Sequence, residues 1–356
     1  MKKLLLLWLF FLQLHLTNAQ TVSPAGLHNM EAAIENGTYP NIHSILIAHN
    51  NKIIYEKYWS GEDAIWGKKL GIIAHTKDSL HDERSVSKSV VSACIGIAVD
   101  QGKIKSINEK IFDFFPEYTA QDTGLKSQIT IKDLLTMTAG FQWDEDTYGS
   151  PQNNETKMEE AQDPVGYVLS QPMAFAPGKV WRYNGGATQL LASIIQKATG
   201  KSISTFAGEY LFSPLGITRF EWTKYSADGI PAAASGLRLL PRDLLKFGLL
   251  YMNDGKWNSK QIITAGWINE SFTQYFPVDT SGTGYGFQWW LWTDTIMNKP
   301  TPIAACIGNG GQRVFVDKLN DIVVVFNAGN YNTYTTRPDP YNILMKFIYP
   351  AVFGEK

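Results

Sequence analysis

Arg84-Ser85-Val86-Ser87-Lys88-Ser89-Val90, continued by Ile95-Gly96-Ile97-Ala98-Val99-Asp100-Gln101-Gly102, is the stretch on which both fold and chemistry turn. Val86, Val90, Ile95 and Ala98 recur at helical spacing, and Gly102 ends the run. Few charges follow Lys88, so the helix is expected to be buried. Ser85 and Lys88 stand three apart, which on a helix brings their Cβ atoms to about 5–6 Å on one face. The lysine stem then folds back onto the serine Oγ. Partial desolvation lowers the proton affinity of such a lysine and makes it a base. Both residue types are common, so the pair needs support from the rest of the chain.

Other hydrolytic solutions are excluded by what the sequence lacks. All six histidines lie at or before His81, so none follows Ser85 to serve in a Ser, acid, His order, and no Gly-x-Ser-x-Gly elbow is present. There is no His-Glu-x-x-His zinc site and no Gly-x-x-x-x-Gly-Lys phosphate loop. His75 and His81 stay open as substrate-side or structural groups.

Working outward, residues 43–59 read as a hairpin turned at Asn50-Asn51, after a short helix with Met30, Ala33 and Ile34. Ser106 to Glu109 has the form of a capping box opening a short helix. Thr130 caps a helix carrying Leu134, Leu135 and Met137 that stops at Gly140. Leu190 to Ile195 mark another helix, closed by Gly200, and Pro241 opens one more. The acidic stretch from Asp144 to Asp163 reads as solvated surface. Short β-rich runs return at Phe287–Trp292, Ile303–Ile307, Val314–Val316 and Ile322–Phe326, followed by a last helix at Asn342–Tyr349. The expectation is an α+β fold: an antiparallel sheet built from both termini (about 20–80 and 280–356) with an inserted, mainly helical region (about 81–279).

The N-terminus carries its own signal. Lys2 and Lys3 precede the apolar run Leu4 to Leu12, and Thr17-Asn18-Ala19 supplies small residues for cleavage before Gln20. Residues 1–19 are therefore expected to be an export signal, and 20–356 a periplasmic or secreted domain. The run is shorter than the ~20 residues needed to span a bilayer, so no stable membrane insertion is expected after cleavage. Without Lys2 and Lys3 the remaining basic residues are outnumbered by the 33 acidic ones, which is no footprint for nucleic acid. Cys94 and Cys306 are expected to be buried, unpaired thiols. The oligomeric state stays open.

With those readings in place, the Ser85 stretch resembles the serine β-lactamase and penicillin-binding-protein superfamily, in particular its class C-like branch with esterases and 6-aminohexanoate-dimer hydrolases. Ile129-Thr-Ile-Lys-Asp-Leu-Leu-Thr-Met-Thr-Ala-Gly, Trp181-Arg-Tyr-Asn-Gly-Gly, Ser235-Gly-Leu-Arg-Leu-Leu-Pro-Arg-Asp-Leu, Gly284-Tyr-Gly-Phe-Gln-Trp-Trp and Gly308-Asn-Gly-Gly-Gln are similar to the same branch, in order, over nearly the whole mature chain. The resemblance implies a β-lactamase/transpeptidase-like fold. It implies Ser85 as nucleophile with Lys88 and Tyr183 as its proton-handling partners, and no metal or organic cofactor. It implies an oxyanion hole from the N–H groups of Ser85 and Gly311.

Two departures bear on specificity. Gly308-Asn309-Gly310 stands where penicillin-recognising members carry Lys-Thr-Gly, with Arg313 close by. Gly185 stands where the family has an asparagine that grips an acyl-amide side chain. Asn309, Gly310 and Gly185 are thus the expected substrate-binding positions, and both losses argue against efficient β-lactam hydrolysis. Phe141, Trp143, Tyr285 and Trp289 are candidates for an apolar cleft. The reading is acyl-enzyme hydrolysis of a small ester or linear amide. The alternatives are a D-amino-acid peptidase or β-lactamase, and a non-catalytic binding homologue.

Overall fold

A computed structural model of the protein describes residues 24–147, 150–225, 229–333 and 339–354; the expected signal segment and its cleavage site lie outside them. Strands from both ends of the chain make one sheet. β1 (Ile42–His49) and β2 (Lys52–Tyr58) form a hairpin whose turn residues Asn50 and Asn51 both have positive φ, as a primed turn requires and asparagine tolerates. β3 (Ser60–Ile65) and β4 (Lys68–Ala74) make a separate hairpin. β5 (His81–Asp82), β6 (Glu221–Trp222) and β7 (Leu237–Leu239) form a small sheet in the order β5-β7-β6, and β8 (Lys256–Trp257) pairs with β9 (Lys260–Gln261). β10 (Phe276–Pro277), β11 (Gly284–Tyr285), β12 (Trp290–Ile296), β13 (Lys299–Gly308), β14 (Gln312–Asp317) and β15 (Ile322–Ala328) complete the main sheet. Its order is β10-β11-β12-β13-β14-β15-β1-β2, antiparallel at every pairing.

Helices cover both faces of this sheet. On one face α1 (Pro24–Glu35) and the helical segment 340–353 bury Leu27, Met30, Ile343 and Ile348 against Ile45, Ile47 and Phe326. On the other lies the inserted region, with α2 (Val86–Asp100), α3 (Ile131–Leu135), α4 (Asn154–Glu160), α5 (Pro164–Ser170), α6 (Gly185–Thr199), α7 (Ile203–Ala207), α8 (Pro241–Met252) and α9 (Ala265–Ser271). α2 is buried from Val86 to Ala98 and packs on α6 at the centre of the larger core. Helix α8 lies close on the sheet because position 248 is glycine: a Cβ there would meet Val323 at 2.6 Å and Val314 at 2.8 Å. The fold is β-lactamase/transpeptidase-like, an antiparallel sheet with helices on both faces and α2 in the middle.

Local expectations meet several corrections. Thr130 and Asp133 form a capping box, but α3 ends at Leu135, and Met137 turns the chain at φ 58 well before Gly140. Ser106 to Glu109 makes half of a capping box, with Glu109 Oε2 accepting from Ser106 N at 3.0 Å while Ser106 Oγ accepts from Asn108 N at 3.1 Å, and encloses only a turn before the 3-10 turn Ile111–Asp113. The strand expected from Phe287 starts at Trp290. Gln288 sits at φ 63, with its backbone and side-chain N–H groups donating to Leu135 O and so anchored outside the ladder.

Candidate active site

Ser85 immediately precedes α2. A serine in that place normally turns its hydroxyl onto the amides of the first helical turn. Here those amides are already satisfied: Val86 N donates to Glu83 O at 3.1 Å, Ser87 N to Arg84 O at 2.9 Å and Lys88 N to Ser85 O at 3.1 Å. Arg84 holds this tight turn at φ 48, a costly region for a side-chain-bearing residue. Its guanidinium lies over Trp66 at 5.4 Å and Tyr331 at 4.9 Å, and 3.3 Å from Asp82. The Ser85 side chain makes no capping bond and instead accepts from Lys88 Nζ at 3.1 Å. The neighbouring serines are committed elsewhere, Ser87 Oγ to Arg84 O at 2.6 Å and Ser89 Oγ to Gln288 O at 2.6 Å.

Lys88 is 1% exposed, and a lysine so deep requires acceptors and counter-charge. Its Nζ donates to Ala234 O at 3.2 Å and lies 4.8 Å from the centre of the Tyr183 ring. It is also 3.7 Å from Glu145 Oε1 and 3.9 Å from Glu155 Oε1. Both glutamates come from the stretch expected to be solvated surface, and that expectation is wrong for them. Glu145 is 3% exposed; its Oε2 accepts from Trp143 Nε1 at 2.8 Å and Gly185 N at 2.5 Å. In α4, Glu155 and Met158 are buried on the inward side. Burial, reinforced by Glu145, pushes the Glu155 carboxyl up to about 8, and burial pushes Glu159 up to about 7 against the pull of Arg84.

Ser85 and Tyr183 open onto a cleft of about 560 Å³, lined also by Trp143, Glu145, Trp181, Trp290, Ile307 and Asn309. Of the expected aromatic wall, Trp143 is in place. Tyr285 lies behind Trp181 and Trp290, at 5.6 and 5.2 Å between ring centres, while Phe141 and Trp289 are core. Trp181 and Trp290 take the positions those residues were expected to hold. Among the expected substrate-binding positions, Asn309 reaches the cleft. Gly185 is buried behind Glu145, and Gly310 packs against Tyr331, where a Cβ would meet the ring at 2.5 Å. Gly311 N donates to Gly308 O at 3.3 Å, closing the turn after β13. Arg313 is tied to Gly308 O and Gln312 O, both at 2.9 Å, and to Asp339. It lines the cleft, with its guanidinium already engaged by these partners.

His75 and His81 belong to a buried polar cluster with His43 and Asp63, none of which lines the cleft. His43 Nδ1 and His81 Nε2 share a hydrogen bond of 2.8 Å. Burial pushes His43 down to about 2 and His81 down to about 3, so the rings are neutral. His43, Asp63 and His75 bring ligand-type atoms within 4.8 Å of one another. The His43 and His75 rings, however, stack at 3.9 Å with planes 16° apart, and the in-plane lone pairs of near-parallel rings do not converge on one ion. Cys94 and Cys306 are buried and unpaired.

A serine Oγ held off its own helix, a buried lysine beside it and a tyrosine ring under that lysine are the arrangement the sequence resemblance implies. The profile of the beta-lactamase family matches residues 41–341. The chain belongs to that family. Among curated relatives, the 6-aminohexanoate-dimer hydrolase of Paenarthrobacter ureafaciens is 22% identical over 271 residues, covering 70% of this chain and 66% of that one. Esterase EstB of Burkholderia gladioli is 23% identical over 181 residues, covering 48% and 44%. Across the first two curated relatives it matches, the chain spans 61% and 66% of their length. Among solved structures, EstCE1, a hydrolase with promiscuous acyltransferase activity, superposes with a TM-score of 0.72 at 16% identity, over 93% of this chain and 98% of that one. This last likeness is one of fold.

Proposed function

We propose that this member of the beta-lactamase family is an exported serine hydrolase that cleaves a small ester or linear amide through an acyl-enzyme. The observation that carries the reading is the 3.1 Å contact between Lys88 Nζ and the Oγ of Ser85, which lines a cleft walled by tryptophans. The Ser85 Oγ–carbonyl bond forms as the hydroxyl proton passes to Tyr183, held as phenolate by the Lys88 ammonium. The carbon–leaving-group bond then breaks, and the same proton goes to the leaving alkoxide or amine. Water repeats the sequence in reverse and frees Ser85. The Ser85 N–H, at the start of α2, supplies one oxyanion donor, and the Gly308–Gly311 turn supplies the other once Gly311 N leaves Gly308 O.

The hydrolase and esterase names among the relatives support this class of chemistry. The missing cation at Gly308-Asn309-Gly310 and the engaged Arg313 weigh against β-lactams as the main substrates. Export rests on Lys2-Lys3, the Leu4–Leu12 run and Thr17-Asn18-Ala19; the intact mass of the protein recovered outside the cytoplasm should match a chain beginning at Gln20, as glutamine or as its cyclised pyroglutamate. For the activity, p-nitrophenyl acetate and a linear amide are the test substrates. Turnover that vanishes in Ser85→Ala supports the reading, and turnover that survives it contradicts it.

A further inference from the structure

Position 185 is glycine, and its missing side chain makes room for two carboxyl groups. A Cβ on Gly185 would lie 2.9 Å from Glu155 Oε1 and 3.2 Å from Glu145 Oε2. Each glutamate also has a buried oxygen, Oε1, without a hydrogen-bond partner among the described residues, and both of these oxygens face Lys88 Nζ within 4 Å. Unpartnered buried carboxylate oxygens are costly, so their shared direction toward one ammonium needs a reason. We propose that Glu145 and Glu155 are positioning residues of the Lys88 ammonium, occupying the space of a side chain at 185 and holding one proton between them. The inference rests on the serine-hydrolase reading of the same site.

Charge balance leads to that assignment. One ammonium neutralises one carboxylate; a second ionised carboxylate in the same dry pocket would be uncompensated. Glu145 Oε2 already accepts two N–H bonds, from Trp143 Nε1 and Gly185 N, which makes it the better placed of the two to answer the ammonium. Glu155 keeps the proton, in agreement with its upward displacement by burial and by Glu145. The other groups acting on this pair are Arg84 and Lys88 beside and on α2, Glu159 on α4, Tyr183 before α6, and Tyr225 and Tyr285, whose hydroxyls are both pushed up by burial. With one net negative charge the pair fixes Lys88 against Ser85 and Tyr183 as a cation. With two, it cancels the field that stabilises a Tyr183 phenolate. The pair therefore sets an alkaline limit on turnover, and that limit belongs to the dyad as a unit.

The test compares pH profiles of kcat/KM for p-nitrophenyl acetate in the intact enzyme, Glu155→Gln, Glu145→Gln and the double variant, with Tm recorded for each. Carboxyl carbon-13 titration of glutamate-labelled resting enzyme runs alongside. The wild type should lose activity through an inflection near the Glu155 value of about 8. Glu155→Gln should remove that inflection. Glu145→Gln should remove it too, because Glu155 then becomes the lone anion and no second carboxyl remains to ionise. The double variant should stay folded and lose about 100-fold, within the range of general acid–base contributions. Superimposable profiles accompanied only by Tm changes would reduce both residues to structural ones and overturn the proposal. The labelled titration reads the pair without turnover. A carboxyl titrating near 8 in an inactive wild type would retain the pair and discard the hydrolase reading, whereas its absence would discard the pair.

Discussion

Ser85 Oγ lies 3.1 Å from Lys88 Nζ because the turn Glu83–Arg84–Ser85 satisfies the first amides of α2 with backbone carbonyls. The hydroxyl is thereby released from capping its own helix. A serine that capped normally would point along the helix axis, away from a lysine on the next turn. The positive φ of Arg84 is the local strain that secures this, and the two aromatic rings and Asp82 around its guanidinium compensate for it.

The charge pairing around Lys88 makes a stability prediction. Lys88→Met leaves Glu145 buried without its cation, and breaking such a pair typically costs about 3–5 kcal/mol. Adding Glu145→Gln to Lys88→Met should recover most of that loss without restoring turnover. Urea unfolding of the two single variants and the double variant gives the coupling directly, and simple additivity would contradict the pairing.

Glu155 predicts a pH dependence of stability. Its folded value, raised to about 8, exceeds the unfolded value near 4.5, so the native state binds a proton that the unfolded chain has released. Its contribution is therefore full below the unfolded value and is lost as pH rises toward 8. The Tm of Glu155→Gln should fall less than that of the wild type between pH 5 and pH 8. Differential scanning calorimetry across that range is the check, and parallel curves would contradict the assignment.

Trp290 packs 5.7 Å from the rings of both Trp181 and Tyr183 and lines the cleft. Trp290→Ala should lower kcat/KM for p-nitrophenyl butyrate more than for the acetate, by about 10-fold or somewhat more, since each methylene in an apolar pocket is worth roughly 1–3 kcal/mol. Equal losses on both esters would place Trp290 outside the acyl site.

Cys94 and Cys306 are both 1% exposed or less, and burial pushes both thiols well up. Neither should react with a disulfide reagent in the native protein, and both should react after guanidinium unfolding. A thiol count by absorbance before and after unfolding decides it.

Much of the architecture could be read locally. The Asn50-Asn51 turn, the Thr130 cap, the Gly200 helix stop and the Ser85–Lys88 spacing each reflect bonds made within a few residues. What escaped depends on distant partners. Glu145 and Glu155 look like surface residues among their acidic neighbours, and their burial is decided by Lys88 and by the vacancy at Gly185. The one local hint was Met158, buried in α4 between Glu155 and Glu159. Trp289 and Trp290 show the same limit: adjacent in sequence, they fall to core and cleft, a difference set by where β12 begins. The strained turn at Gln288, fixed by Leu134 and Leu135 far back in the chain, decides that.

The most direct test of the central claim is intact-mass spectrometry of the protein after treatment with a fluorophosphonate, followed by peptide mapping. A single adduct on Ser85, absent from Ser85→Ala, is the predicted result. No adduct on the folded wild type, or an adduct on any other serine, would contradict the assignment of Ser85 as the nucleophile.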